Sequence, residues 1–152
     1  MRTHKEVTEE VERLGDELTV PVDEGIKKLV IALRMHNFPT SGSCEGHLEH
    51  ALPYPWVDID APEQEENAWL TANKRERTRL KQLLSAFYDT NKTTAIFQFQ
   101  DIGIFGAFRL VPRAAGTIQH PTKELLLNQL KNLDKLADYL LAAAKNSRDL
   151  SA

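Results

Sequence analysis

The sequence lacks most of the features that place a protein outside the cytoplasm. Its 152 residues include a single cysteine, which cannot form an internal disulfide and suits a reducing compartment. The clean apolar run Leu29 to Leu33 is far too short to cross a bilayer. The first residues are charged and contain no apolar signal core. We therefore expect a cytoplasmic protein with no membrane partner.

A large excess of one charge is also missing. The chain has 19 basic and 22 acidic residues, a net charge of −3, which excludes a chain-wide electrostatic footprint for nucleic acid. The densest basic cluster has five lysines and arginines within residues 74–81. We interpret it as a solvated helix face that balances the acids at 58–66. Nucleic acid is left open as a partner but is not favoured.

The sequence shows no internal repeat and no low-complexity segment, and periodic apolar positions divide it into helices and strands. The predicted helices cover 7–18, 23–37, 60–88 and 120–146, and the predicted strands cover 40–44, 56–60, 94–101 and 104–111. This order, α-α-β-β-α-β-β-α, predicts an α+β fold in which a four-stranded sheet packs against about four helices. The length suits one domain over residues 1–152 with a core of its own.

Local patterns add detail to the helices. Asp23 and Asp60 each precede an amphipathic segment and are predicted to be helix N-caps. Residues 73–78 are predicted to be an exposed or broken stretch of the third helix. The last helix carries an apolar stripe, which is consistent with a short coiled-coil-like seam or with packing on the sheet: Leu126, Leu130, Leu133, Ala137, Leu140 and Ala144.

Alternation along the strands predicts two different faces of the sheet. Val57 and Ile59 alternate with Asp58, so the apolar pair should face the core and the aspartate the other side. Gln98 and Gln100 are expected beside Asp58, and Arg109 joins them in one register of the hairpin. This half-polar face is either solvent-exposed or the floor of a site.

The stretch from Thr40 to Trp56 is chemically the richest in the chain. It contains the only cysteine and two of the five histidines, and Gly42 and Gly46 flank Ser43-Cys44-Glu45. Glycines in such positions allow backbone N–H groups to turn outward towards an anion. The turn after the third predicted element is therefore the predicted functional site.

The first hypothesis for this turn is a pocket for a small polar or anionic ligand, for example a nucleotide or a piece of RNA. Clustered small polar groups and glycine in one loop are typical of binding sites, and an arginine suits an anion. The predicted ligand-binding residues are Thr40, Ser41, Ser43, Gly46, Tyr54, Trp56 and Arg109, with the His47 imidazole beside them.

Three further hypotheses stay open. The first is nucleophilic catalysis with Cys44 as thiolate and His47 as base, which requires a lowered thiol pKa. The second is a metal site of Cys44, His47 and His50, with His36 as an additional candidate, since these ligand types suit zinc. The third is a scaffold without a catalytic site, in which the first and last helices form a homodimer or partner seam. No cofactor follows from the sequence.

Two family resemblances bear on the same residues. The segment Thr40-Ser-Gly-Ser-Cys-Glu-Gly-His47 resembles a Thr-x-x-Ser-Cys-x-Gly-His turn of uncharacterised small bacterial, plasmid and phage proteins. That resemblance covers about residues 22–60 and implies a helix before the turn and a short Pro53-Tyr54 strand after it. More distantly, Ser41, Ser43, Cys44 and Gly46 are similar to a Ser-x-Ser-Cys-x-Gly-Arg motif of wybutosine-synthesis tRNA methyltransferases. That second resemblance implies RNA or nucleotide handling, although His47 stands where the family has arginine.

Overall fold

The fold was analysed in a computed structural model, which describes residues 2–17, 21–91, 96–113, 115, 117 and 120–151. The helices are α1 (His4–Glu17), α2 (Glu24–Met35), α3 (Glu66–Thr90) and α4 (Lys123–Ser151). The strands are β1 (Thr40–Cys44), β2 (Trp56–Ile59), β3 (Phe97–Asp101) and β4 (Phe108–Pro112). The predicted α+β class and the order of its elements are confirmed.

The four strands form one antiparallel sheet in the order β1-β2-β4-β3, so β1 and β3 are its edges. Arg109 is paired with Asp58 on one side and with Gln100 on the other. Since directly paired residues point to the same side of a sheet, the expected polar face, with Arg109 in it, is confirmed. Val57 and Ile59 are fully buried on the opposite face.

A single apolar core joins all four helices to this opposite face. It includes Val7 of α1, Leu84 of α3 and Phe108 of β4. The apolar stripe of α4 packs mainly against α2 and shares one core cluster with the apolar face of the sheet. Most of its predicted positions are buried within the chain: Leu126, Leu133, Ala137, Leu140 and Ala144. A stripe that is used inside the monomer leaves little of α4 for a dimer seam; Leu127 is its exposed large hydrophobic residue among the described positions.

The chain reverses direction at the end of α2, so that β1 runs antiparallel to this helix. Asn37 has a φ of 62°, a left-handed conformation that asparagine adopts more readily than most residues. The backbone N–H of Phe38 donates to the carbonyl of Leu33 at 3.1 Å, which closes the helix end. The 12 residues of α2 rise about 18 Å, and the five of β1 return about 17 Å. The end of β1 therefore lies beside the beginning of α2.

The prediction that α3 begins at Asp60 is wrong, because the helix begins at Glu66. The Asp60 carboxylate accepts hydrogen bonds from Trp69 Nε1 at 2.8 Å and Asn73 Nδ2 at 3.0 Å, so it does not cap the nearest backbone. The backbone N–H of Ala61 donates to Asn73 Oδ1 at 2.7 Å. These hydrogen bonds hold Asp60 and Ala61 against the side of α3, and the helix itself begins only at Glu66.

Residues 73–78 are predicted to be exposed or broken; the break is wrong, since α3 is continuous there, whereas Lys74, Arg75 and Thr78 are exposed and Asn73 is fully buried. Several other bounds differ, most of all two: β4 begins at Phe108 instead of Ile104, and α4 extends past Asn146 to Ser151. The β3–β4 connection is longer than predicted because Gly103 and Gly106 both have a positive φ within it. The predicted positions Leu18 and 94–95 lie outside the described residues.

The basic cluster of α3 belongs partly to the fold. The Arg79 guanidinium lies 4.0 Å from the Phe38 ring centroid and donates to the carbonyl of His36 at 2.6 Å. Arg77 pairs with Asp101. The remaining basic residues of the cluster, Lys74, Arg75 and Lys81, are exposed, as the solvated-face interpretation predicts. Among the described residues, no helix has both the length and the apolar character that crossing a membrane requires.

Candidate functional site

The candidate site lies where the end of β1 meets the beginning of α2. Asp23 occupies the predicted N-cap position of α2, but its side chain makes no capping hydrogen bond. The Glu45 carboxylate takes that role, because its Oε2 accepts the backbone N–H of Gly25 at 2.8 Å. A carboxylate at this end of a helix is favoured by the helix dipole. The capping function predicted for Asp23 is therefore wrong, and its carboxylate is available to the turn that follows β1.

Asp23 instead joins Cys44 and His47 in a compact cluster. One ligand atom from each of these side chains lies within 4.8 Å of the other two. His47 Nε2 is 3.4 Å from Asp23 Oδ2. The imidazole and the carboxylate are each about one third exposed, at 29% and 30%, whereas Cys44 is 8% exposed. A nitrogen, an oxygen and a sulfur donor thus lie close together near the protein surface.

Two successive backbone amides of the turn are directed at the two acidic members of the cluster. The N–H of Glu45 donates to Asp23 Oδ2 at 3.0 Å, and the N–H of Gly46 donates to Cys44 Sγ at 3.3 Å. The amide of Gly46 is therefore turned inward, whereas the first hypothesis needs it to face a ligand. Both bonds favour negative charge on the atoms that accept them.

The thiol of Cys44 is nevertheless protonated at neutral pH in the protein alone. Burial raises the pKa of Cys44, and the neighbouring Asp23 carboxylate raises it further through its charge and a hydrogen bond. The hydrogen bond from Gly46 lowers this pKa; its effect is smaller than that of burial but larger than either contribution of Asp23. A nucleophilic cysteine requires a lowered pKa, so this environment opposes the nucleophile hypothesis.

Gly46 packs the turn against the rest of the fold. Its φ is +88°, and a Cβ atom there would lie 2.7 Å from Leu126 Cδ1 and 2.8 Å from the carbonyl carbon of Tyr54. No side chain fits in that space without displacing backbone. A glycine is thus needed here because α4 packs against the turn on one side and the residues before β2 pack against it on the other.

The other histidines of the metal hypothesis have different positions. His50 is exposed on the loop at 45–55, and its ring stacks on that of His47 with 4.4 Å between centroids and 20° between planes. It is not a member of the three-residue cluster. His36 lies elsewhere: its Nε2 donates to the carbonyl of Leu140 at 2.7 Å.

The predicted hydroxyl ligands are dispersed around β1. Thr40 is occupied by Arg34, whose Nε donates to the Thr40 hydroxyl at 2.6 Å and whose Nη2 donates to the Thr40 carbonyl at 2.7 Å. Ser41 is exposed and Ser43 is half-buried. The short Pro53-Tyr54 strand implied by the first resemblance is absent, since β2 begins at Trp56.

Arg109 is held by its own neighbours on the polar face of the sheet. Its Nε and Nη2 donate to the Asp58 carboxylate at 2.6 and 3.0 Å, and its guanidinium lies 3.9 Å from the Trp56 ring centroid. The hydrogen bond to Asp58 raises the pKa of Arg109. Trp56 also packs against a small second core that contains Tyr54. The Asp58 carboxylate and the stacked Trp56 ring already occupy most of the Arg109 guanidinium surface that would otherwise bind an anion.

Sequence reasoning missed Asp23 as a site residue because a helix cap explained it. The chain did contain one indication: a helix and a strand of matched length, joined by a tight reversal, bring the residue before the helix next to the residue ending the strand. No family model matches the chain, and neither the search of curated proteins nor that of solved structures gave a match. The proposals below therefore depend on geometry and chemistry.

Proposed function

We propose that the protein binds one divalent transition-metal ion of the zinc class through Asp23, Cys44 and His47. The observation that carries this proposal is the mutual approach of the three donor atoms to within 4.8 Å. In tetrahedral zinc sites the metal–ligand distances of about 2.0–2.3 Å place a nitrogen and an oxygen ligand about 3.4 Å apart. His47 Nε2 and Asp23 Oδ2 are separated by 3.4 Å, so this pair needs little movement to share an ion.

The chemistry of the donors favours a borderline metal over calcium or magnesium. Thiolate and imidazole ligands suit zinc, whereas calcium and magnesium prefer oxygen ligands alone. A bound dication would displace the thiol proton, since metal binding and deprotonation of cysteine are coupled. The N–H groups of Glu45 and Gly46, which already donate to Asp23 and Cys44, would then support the two anionic ligands in the manner of outer-shell partners.

The proposal also accounts for features that the catalytic hypothesis leaves unexplained. In a cysteine–histidine–aspartate triad the imidazole stands between the thiol and the carboxylate. Here Asp23 interacts with both His47 Nε2 and the Cys44 thiol, so the carboxylate lies close to the sulfur and adds to the effect of burial, which raises the thiol pKa. That arrangement weakens a nucleophile but suits three ligands around a cation.

Calorimetric titration of metal-free protein with zinc tests the proposal. The wild type should bind about one equivalent, and Asp23→Asn, Cys44→Ser and His47→Ala should each weaken binding by about 100-fold or more, because loss of an outer-shell partner alone costs 10–100-fold. His4→Ala removes an exposed histidine of α1 and serves as the matched control with unchanged affinity. Binding that is weak or indifferent to all three substitutions would refute the proposal.

The polar-ligand and homodimer hypotheses remain predictions. A metabolite and nucleotide panel, scored by thermal shift of the wild type against a Ser43→Ala/His47→Ala double variant, tests the first. Light scattering at tens of micromolar protein tests the second, where a monomer would contradict a self-association role.

A further inference from the structure

His50 contacts the proposed site through His47, carries a metal-binding nitrogen and has no place in the core. It lies on the loop at 45–55, is exposed, and stacks on the His47 ring with 4.4 Å between centroids. The loop between the two histidines is tied back on itself, because the N–H of His47 donates to the carbonyl of Leu52 at 3.0 Å and Ala51 has a φ of 58°. The two rings are therefore held close by the backbone.

The separation of these rings fits two ligands of one ion. Two imidazoles on the same tetrahedral zinc, each with a metal–nitrogen distance of about 2.0–2.1 Å, have centroids about 5 Å apart. The observed 4.4 Å is slightly shorter than that value, so the ring separation is compatible with two ligands of one ion once a rotamer change of His50 turns a ring nitrogen towards it. An exposed side chain makes such a rotation at little energetic cost.

Resting on the metal site proposed above, we infer that His50 is its fourth ligand and that metal binding fixes the 45–55 loop to the beginning of α2. Four protein ligands make a closed site of the structural type, whereas three ligands and a water make an open site of the catalytic type. With Asp23, Cys44 and His47 from segments about 20 residues apart, the ion joins a loop without regular structure to the rigid end of a helix. The site holds a metal to organise this surface and leaves no position free for a substrate.

Cobalt in place of zinc distinguishes the two kinds of site in the full-length protein. We expect His50→Ala to lower the cobalt affinity by about 10–100-fold and to change the intensity of the visible d–d absorption, because water takes the vacated fourth position. Glu49→Ala changes a neighbouring exposed residue of the same loop and should leave both unchanged. Since His50 is exposed, the metal-free variant should unfold like the wild type.

The outcomes separate this inference from the proposal on which it rests. If cobalt binds to the wild type and His50→Ala behaves as Glu49→Ala in affinity and spectrum, the fourth-ligand assignment is refuted and the three-residue site stands. If the wild type binds no cobalt or zinc, the metal proposal itself fails. Zinc-dependent protection of the 45–55 loop from proteolysis in the wild type, and its loss in His50→Ala, would support the closed site.

Discussion

Gly46 offers the sharpest test of how the turn is built. In Gly46→Ala the alanine would adopt a φ of +88°, and its Cβ would lie within 3 Å of both the Leu126 side chain and the Tyr54 backbone. The left-handed conformation costs about 1–2 kcal/mol, and overpacking against backbone adds about 1–3 kcal/mol. We expect the free energy of unfolding to fall by about 3 kcal/mol in total.

Gly103→Ala is the matched control for this substitution. Gly103 has a φ of +80° and no heavy atom within 4 Å of a Cβ built on it, so the same change there costs only the conformational part, about 1–2 kcal/mol. Both substitutions reduce the conformational entropy of the unfolded chain by the same amount. The difference between their free energies of unfolding therefore measures the steric clash at Gly46. Urea denaturation of the metal-free proteins, followed by far-ultraviolet circular dichroism, measures both values. Equal destabilisation of the two variants would show that α4 and the turn are not in contact as described.

Three further predictions concern stability and reactivity. Asn73→Ala should lower the free energy of unfolding by about 3 kcal/mol, because buried partners lose their hydrogen bonds. The control Asn67→Ala, on the exposed side of α3, should change the free energy of unfolding by less than about 0.5 kcal/mol. Similar values for both variants in urea denaturation would contradict the buried network. Burial lowers the pKa of His36, so as the pH falls the unfolded chain is protonated at His36 first, and stability should fall as the pH drops below about 6.5. The melting temperature of His36→Gln should depend less on pH between about pH 7 and pH 5 than that of the wild type. An unchanged pH dependence would refute the role of His36. Cys44, buried and with a raised pKa, should react with iodoacetamide at least about 10-fold more slowly in the folded than in the urea-unfolded protein, and fast labelling at neutral pH would revive the nucleophile hypothesis.

Elements governed by neighbouring residues were predictable from the sequence. The bounds of β1 follow from its small hydroxyl residues after the Asn37–Pro39 stop, and the apolar face of α2 follows from helical spacing. The polar sheet face was predicted as well, because it needs only the period of two along each strand. Its pairing of Asp58 with Arg109 depended on the register, which local pattern leaves open.

The errors arose where a distant residue replaced a local partner. Asp60 has the sequence context of a helix cap, yet Trp69 and Asn73 take its carboxylate. Asp23 has the same context, and Glu45, 22 residues on, caps the helix in its place. Local pattern cannot rank a cap against a tertiary hydrogen bond, because the competing donor is brought near only by the completed fold.

X-ray absorption at the zinc edge of the metal-loaded wild type tests the central claim most directly. The proposed site predicts one sulfur scatterer per zinc at about 2.3 Å together with nitrogen and oxygen scatterers at about 2.0–2.1 Å, and the sulfur shell should disappear in Cys44→Ser. A shell of nitrogen and oxygen alone in the wild type, or a protein that retains no zinc after desalting, would contradict it.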